Sequence, residues 1–146
     1  MQVKNIVLTS DHAGAILKNK IAQVLSSSYA VTVLGAQDEN DRQDYPKMAK
    51  QAALELKKPE TVGIFVCGSG IGMSIQANRY PFIRAALVYT TEGARLARQH
   101  NDANVLCLGA RMTDEATALA CVQTFLSTDF EGGRHIARVE QLKESV

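Results

Sequence analysis

Apolar positions follow two alternating rhythms along this chain. Five short runs are almost unbroken: Ile6-Val7-Leu8, Val31-Thr32-Val33-Leu34, Val62 to Val66, Ala85-Ala86-Leu87-Val88 and Val105 to Leu108. Runs of that length, apolar at nearly every position, predict strands covered on both faces. Between them apolar residues recur at helical spacing. Ile16, Leu17, Ile21, Val24 and Leu25 follow the first run, and Ala49, Ala52, Ala53 and Leu56 lie behind Pro46, which suits a first helical turn. Further helices are predicted near Met73 to Arg79, from a Thr91 cap to about His100, and from Thr113 or Asp114 through Phe125. Gly132-Gly133 then breaks the chain before a last helix from about Arg134 to Glu144.

The resulting order is βα repeated five times, plus an extra C-terminal helix. Parallel strands joined by right-handed crossovers give an α/β fold, a doubly wound three-layer sandwich. Residues 1–146 read as one domain, without linker, fixed-period repeat or low-complexity tract. Ligands of such sheets bind outside the carboxyl ends of the strands. The residues after strands one, three, four and five are therefore the ones to inspect.

Composition narrows the partners. The 146 residues are 46% hydrophobic and carry 16 basic against 15 acidic groups, a net charge of +1. No basic excess exists to hold a phosphate backbone, so nucleic acid is not an expected partner. No apolar run approaches the roughly 18 residues of a membrane span, and no signal-peptide h-region opens the chain. Cys67, Cys107 and Cys121 have no C-x-x-C spacing and suggest free thiols in a reducing cytoplasm.

Candidate chemistry clusters at the predicted strand ends. Ser10-Asp11-His12-Ala13-Gly14 follows strand one. Asp11 suits a helix cap or a contact to a polyhydroxyl ligand about equally, while His12 belongs to no apolar stripe. Cys67-Gly68-Ser69-Gly70-Ile71-Gly72-Met73-Ser74 follows strand three. Its alternate glycines let backbone N–H groups turn toward one point at a helix start, as an anion nest or an oxyanion hole. Cys67 stands at the mouth of that nest, where a thiolate is favoured and can act as base or nucleophile. Cys107, within a strand, and Cys121, within a helix, read as small buried hydrophobes. His100-Asn101-Asp102-Ala103-Asn104 forms a dense polar cluster before strand five. Arg134 and Arg138 share one face of the last helix, either solvated or clamping a phosphate, while Ile136, Val139 and Leu142 point away toward packing.

Other chemistries lack their signatures. The glycine loop has Met73 where a dinucleotide fingerprint needs its third glycine, and no Gly-Lys-Ser/Thr follows it. Gly-x-Ser-x-Gly is absent, and no H-x-x-x-H or C-x-x-C pair suggests a metal.

Taken together, the segments resemble the ribose-5-phosphate isomerase B family, which includes galactose-6-phosphate and allose-6-phosphate isomerases. The resemblance spans nearly the whole chain. It rests on Ser10 to Gly14, Asp44-Tyr45-Pro46, Cys67 to Gly72, Ala77-Asn78, Arg98 to Val105, Leu108-Gly109-Ala110-Arg111 and Glu131-Gly132-Gly133-Arg134-His135. It implies a five-stranded parallel sheet in the order 2-1-3-4-5, a homodimer, and no metal or organic cofactor; dimer and tetramer both stay open as the final assembly. It implies that Cys67 takes the proton from C2 of the open-chain sugar and that the Gly68–Ser74 loop, with Gly70 and Gly72, stabilises the enediolate. Ser69, where threonine is commoner, would move the proton between O1 and O2. His100, with Asp11, would open the sugar ring, and His12, Arg134 and Arg138 would grip the phosphate. Tyr45, Asn101 and Arg111 would line the same site. Cys67 with Met73 marks the cysteine type rather than the glutamate type. The expected reaction is ribose 5-phosphate to ribulose 5-phosphate, with a hexose 6-phosphate such as allose 6-phosphate as the alternative. A non-catalytic phosphate-binding module is the reading from a different class.

Overall fold

The computed structural model describes residues 2–144; Met1, Ser145 and Val146, the ends of the expected domain, lie outside the described residues. Five strands form one sheet: β1 (Asn5–Ser10), β2 (Ala30–Val33), β3 (Thr61–Cys67), β4 (Ala85–Leu87) and β5 (Val105–Gly109). Six helices accompany them: α1 (Ala15–Leu25), α2 (Tyr45–Ala53), α3 (Ile71–Ala77), α4 (Thr91–Asn101), α5 (Glu115–Ser127) and α6 (His135–Gln141), with a 3₁₀ turn at Leu54–Lys57. All strand pairings are parallel.

Alternation along β3 shows why the sheet needs cover on both faces. Val62, Ile64 and Val66 point into a core closed by α1, α4 and α5, through residues such as Ile21, Ala94 and Phe125. Phe65 and Cys67 point the other way, toward Met48, Ala52 and Met73 of α2 and α3. The two cores make the three-layer α/β sandwich expected from the apolar rhythm.

The sheet order is β2-β1-β3-β5-β4, so the expected order 2-1-3-4-5 is corrected at one edge. All five β5 residues are buried, and β5 pairs with β3 from Gly63↔Val105 to Cys67↔Gly109. The three residues of β4 are half-buried. The longer, fully buried strand takes the interior place, and the short, partly exposed one takes the edge.

Two caps refine the boundaries. Thr90, not Thr91, caps α4, its Oγ1 accepting the Gly93 N–H at 3.1 Å. Asp114 rather than Thr113 caps α5, accepting the Thr117 N–H at 2.7 Å. The last helix spans seven residues, shorter than expected. Its buried residues are His135 and Val139, whereas Ile136 and Leu142 are about half exposed, contrary to the packing face expected for them. Among the described residues no helix is long and apolar enough to cross a membrane.

Candidate active site

A cleft of about 510 Å³ opens at the carboxyl ends of β1, β3 and β5. Its lining brings together seven residues singled out in the sequence: Asp11, Tyr45, Cys67, Gly68, Ser69, Gly72 and Arg111. They come from the turn after β1, the start of α2, the end of β3 with its loop, and the turn after β5.

Cys67 is the last residue of β3, and only 4% of it is exposed. The Gly70 N–H donates to its Sγ at 3.2 Å. Gly70 makes this possible by standing at φ +80°, where a side chain would be strained. A Cβ there would also lie 2.6 Å from Leu87 Cδ1 and 2.9 Å from the Leu108 carbonyl carbon. The expected nest therefore spends one of its amides on the cysteine sulfur. A second goes to Ser69, whose Oγ accepts the Ile71 N–H at 3.2 Å. The Tyr89 hydroxyl donates to the Ser69 carbonyl at 2.9 Å, holding the loop from β4.

Arg111 sits across the loop. Its N–H donates to the Gly68 carbonyl at 2.9 Å, and its Nη1 would lie 3.3 Å from a Cβ at Gly68. A guanidinium thus faces the cleft beside the thiol, suited to a negative oxygen. Asp11 serves both readings held for it. Its Oδ1 accepts the Gly14 N–H at 3.0 Å, fixing the turn into α1, and its side chain lines the cleft.

The remaining expected residues stand outside this lining. His12 is half-buried, with Nδ1 3.3 Å from the Gln43 carbonyl oxygen. Ser74 donates its hydroxyl to the Ile71 carbonyl at 2.7 Å within α3, which accounts for its absence from the cleft wall. Asn101 lines a separate cavity of about 490 Å³ beside β4. His100 stacks on His135, ring centroids 4.5 Å apart and planes 15° from parallel, with Glu131 beside both. Arg134 and Arg138 flank His135 on that same short helix. Partial burial, with His100 and Arg134 close by, holds the His135 imidazole below the usual histidine range.

Two buried cations were not singled out from sequence. Lys18 donates to the Leu34 carbonyl at 2.9 Å and to the Ala36 carbonyl, and burial pulls its ammonium below the usual lysine range. It pins the loop leading to Gln43, and so the partner of His12. Arg98, fully buried, donates to the Ala103 and Thr128 carbonyls and pairs with Asp102 at 2.9 Å. It fixes the end of α4, where His100 and Asn101 stand. The sequence signal for Lys18 is a lysine inside the stripe Leu17, Ile21, Leu25.

Fold and cleft together place the chain among α/β enzymes that handle small ligands at the carboxyl edge of a parallel sheet. Residues 6–142 match the family described as Ribose/Galactose Isomerase. The chain belongs to this family, and it is an aldose–ketose isomerase. Ribose-5-phosphate isomerase B of Escherichia coli strain K12 is 39% identical over 141 residues, covering 96% of this chain and 95% of its own. The solved ribose 5-phosphate isomerase B of Anaplasma phagocytophilum superposes with a TM-score of 0.92 at 43% identity, covering 97% of this chain and 98% of that one. The Mycoplasma genitalium enzyme, solved with bound ribulose-5-phosphate, gives 0.92 at 38% identity, covering 98% and 96%.

Proposed function

We propose that this chain interconverts ribose 5-phosphate and ribulose 5-phosphate, through an enediolate and without a metal or organic cofactor. One observation carries the reading: the Cys67 sulfur lies in the cleft wall, with the Gly70 N–H on it and Arg111 beside it. The thiolate takes the proton from C2 of the open-chain aldose and returns it to C1. The loop amides and Arg111 meet the negative charge that develops on O1 and O2, a developing charge being where preorganised donors act most strongly. Ser69 passes the hydroxyl proton between those oxygens. His100, with Asp11, opens the ring, and His12, Arg134 and Arg138 hold the phosphate, while Tyr45 and Asn101 complete the wall. Ser74 acts only through its hydrogen bond in α3.

A homodimer is part of the proposal. His100, Arg134 and Arg138 stand outside the cleft of their own chain, and the cleft rim is apolar and open. Ile75 and Met112 in that rim are about 60% exposed. A second copy seated there buries the rim and brings its own histidine and arginines to the thiol. Residues 1–146 act as one domain in the cytoplasm, where the three free thiols remain reduced.

Turnover of five- and six-carbon aldose and ketose phosphates, measured with a chelator present, tests the reading. The highest kcat/KM is expected on ribose 5-phosphate. Turnover confined to a six-carbon phosphate would move the assignment to the hexose alternative. Binding without turnover of any would leave a phosphate-binding module.

A further inference from the structure

We propose that His100, Glu131 and His135 form a binding site for a divalent transition-metal ion of the zinc type. One ligand atom from each of the three residues lies within 4.8 Å of the others. His100 Nε2 stands 3.9 Å from Glu131 Oε1, and His135 Nε2 stands 4.0 Å from Glu131 Oε2. Both separations exceed hydrogen-bond length, so the carboxylate is not simply bonded to the imidazoles. Two ligands on a tetrahedral zinc ion stand about 3.4 Å apart, given metal–ligand bonds of roughly 2.0–2.2 Å. A shift of about half an ångström, from the half-exposed Glu131 side chain, closes each carboxylate–imidazole gap to that value, and a turn of the partly exposed His100 ring out of its stack brings the two imidazoles onto one ion.

The backbone places all three. The Glu131 N–H donates to the Gln99 carbonyl at 3.1 Å, tying this segment to α4 next to His100. Gly132 and Gly133, at φ +70° and +56°, turn the chain so that His135 comes back over Glu131. His135 is buried against His100 and Phe130, and so has a restricted orientation. Arg95, which also faces Glu131, is paired with Glu92 at 2.5 Å. Two imidazoles and one carboxylate suit zinc, cobalt or nickel rather than magnesium or calcium, and leave a fourth position for water.

Binding has a consequence for turnover, which rests on the ring-opening role proposed for His100. A metal on that imidazole occupies the lone pair needed for proton transfer at the ring oxygen. The ion would then inhibit rather than activate.

The test uses the intact, metal-stripped protein. Co²⁺ is added and followed by its visible absorption, and Zn²⁺ by calorimetry. One equivalent per chain is expected, with the absorption of four-coordinate cobalt. Glu131→Gln and His135→Gln should each weaken binding by more than about tenfold. Cys67→Ala should bind as wild type does. Unchanged binding in both Glu131→Gln and His135→Gln, or loss of binding in Cys67→Ala, would overturn the site. Binding at the three residues without inhibition would uphold the site and remove His100 from ring opening.

Discussion

The phenol ring of Tyr45 rests directly on Gly72: a Cβ at position 72 would lie 2.6 Å from Tyr45 Cζ. Tyr45 begins α2 and Gly72 lies in the first turn of α3, so the contact joins two elements across the cleft mouth. Glycine at 72 is what lets the ring lie there.

Gly72→Ala should therefore push the Tyr45 ring out of its place while the fold persists, because the ring is 41% exposed and can swing away. KM for the sugar phosphate should rise and the melting temperature should barely move. Gly70→Ala is the contrast. It forces a side chain to φ +80° against backbone, and should cost at least about 1 kcal/mol of stability. Thermal unfolding and steady-state kinetics on both variants separate the two effects.

The proposed sharing of the site between two copies predicts how mixtures behave. Cys67→Ala and His100→Ala should each be nearly inactive alone. Unfolded together and refolded at equal concentration, they should regain roughly a quarter of wild-type activity, because half the dimers are mixed and each has one intact site. No recovery, in mixtures shown by mass spectrometry to contain mixed dimers, would mean that both residues act within one chain.

Thiol labelling should be selective. Burial pushes the Cys107 thiol far above the usual range and raises Cys121 as well. Only Cys67 lines the cleft. Iodoacetamide on the native protein should modify Cys67 alone, and ribose 5-phosphate should protect it. Mass spectrometry of the digested protein reads the site directly.

The α5 cap gives a pH prediction. The Thr117 N–H on Asp114 holds that carboxyl below its ordinary value of 3.8. The folded chain then binds fewer protons at this group than the unfolded chain does, so acid favours unfolding. The melting temperature of Asp114→Ala should fall below that of wild type at neutral pH. The gap should begin to shrink as the pH drops toward 3.8 and vanish below the folded value. A gap constant to pH 3 would contradict the capping account.

Much of this was legible in the sequence, for identifiable reasons. β1, β3 and β5 are buried at nearly every position because both faces are covered, and their apolar runs stand out without a structure. Cys67, Ser69 and Asp11 were found because strand ends are where a doubly wound sheet gathers its ligand groups, whereas Arg111 came only with the family resemblance. The order of β4 and β5 was not legible. It depends on which strand tolerates an edge, and β4 differs only in its shortness and partial exposure. Ser74 looked like a loop group, but helical geometry sends its hydroxyl back to Ile71. The His100–Glu131–His135 cluster was hidden as well. The chain returns to α4 only through Gly132 and Gly133, and a search for paired histidines or cysteines passes over a carboxylate four residues from one histidine.

Cys67 is the proposed base acting on carbon, and turnover by Cys67→Ala is the sharpest test of that role. With the base removed and the loop, arginines and His12 kept, kcat on ribose 5-phosphate should fall by about 10²–10⁴-fold while sugar-phosphate binding persists. Wild-type kcat in Cys67→Ala would contradict the account outright.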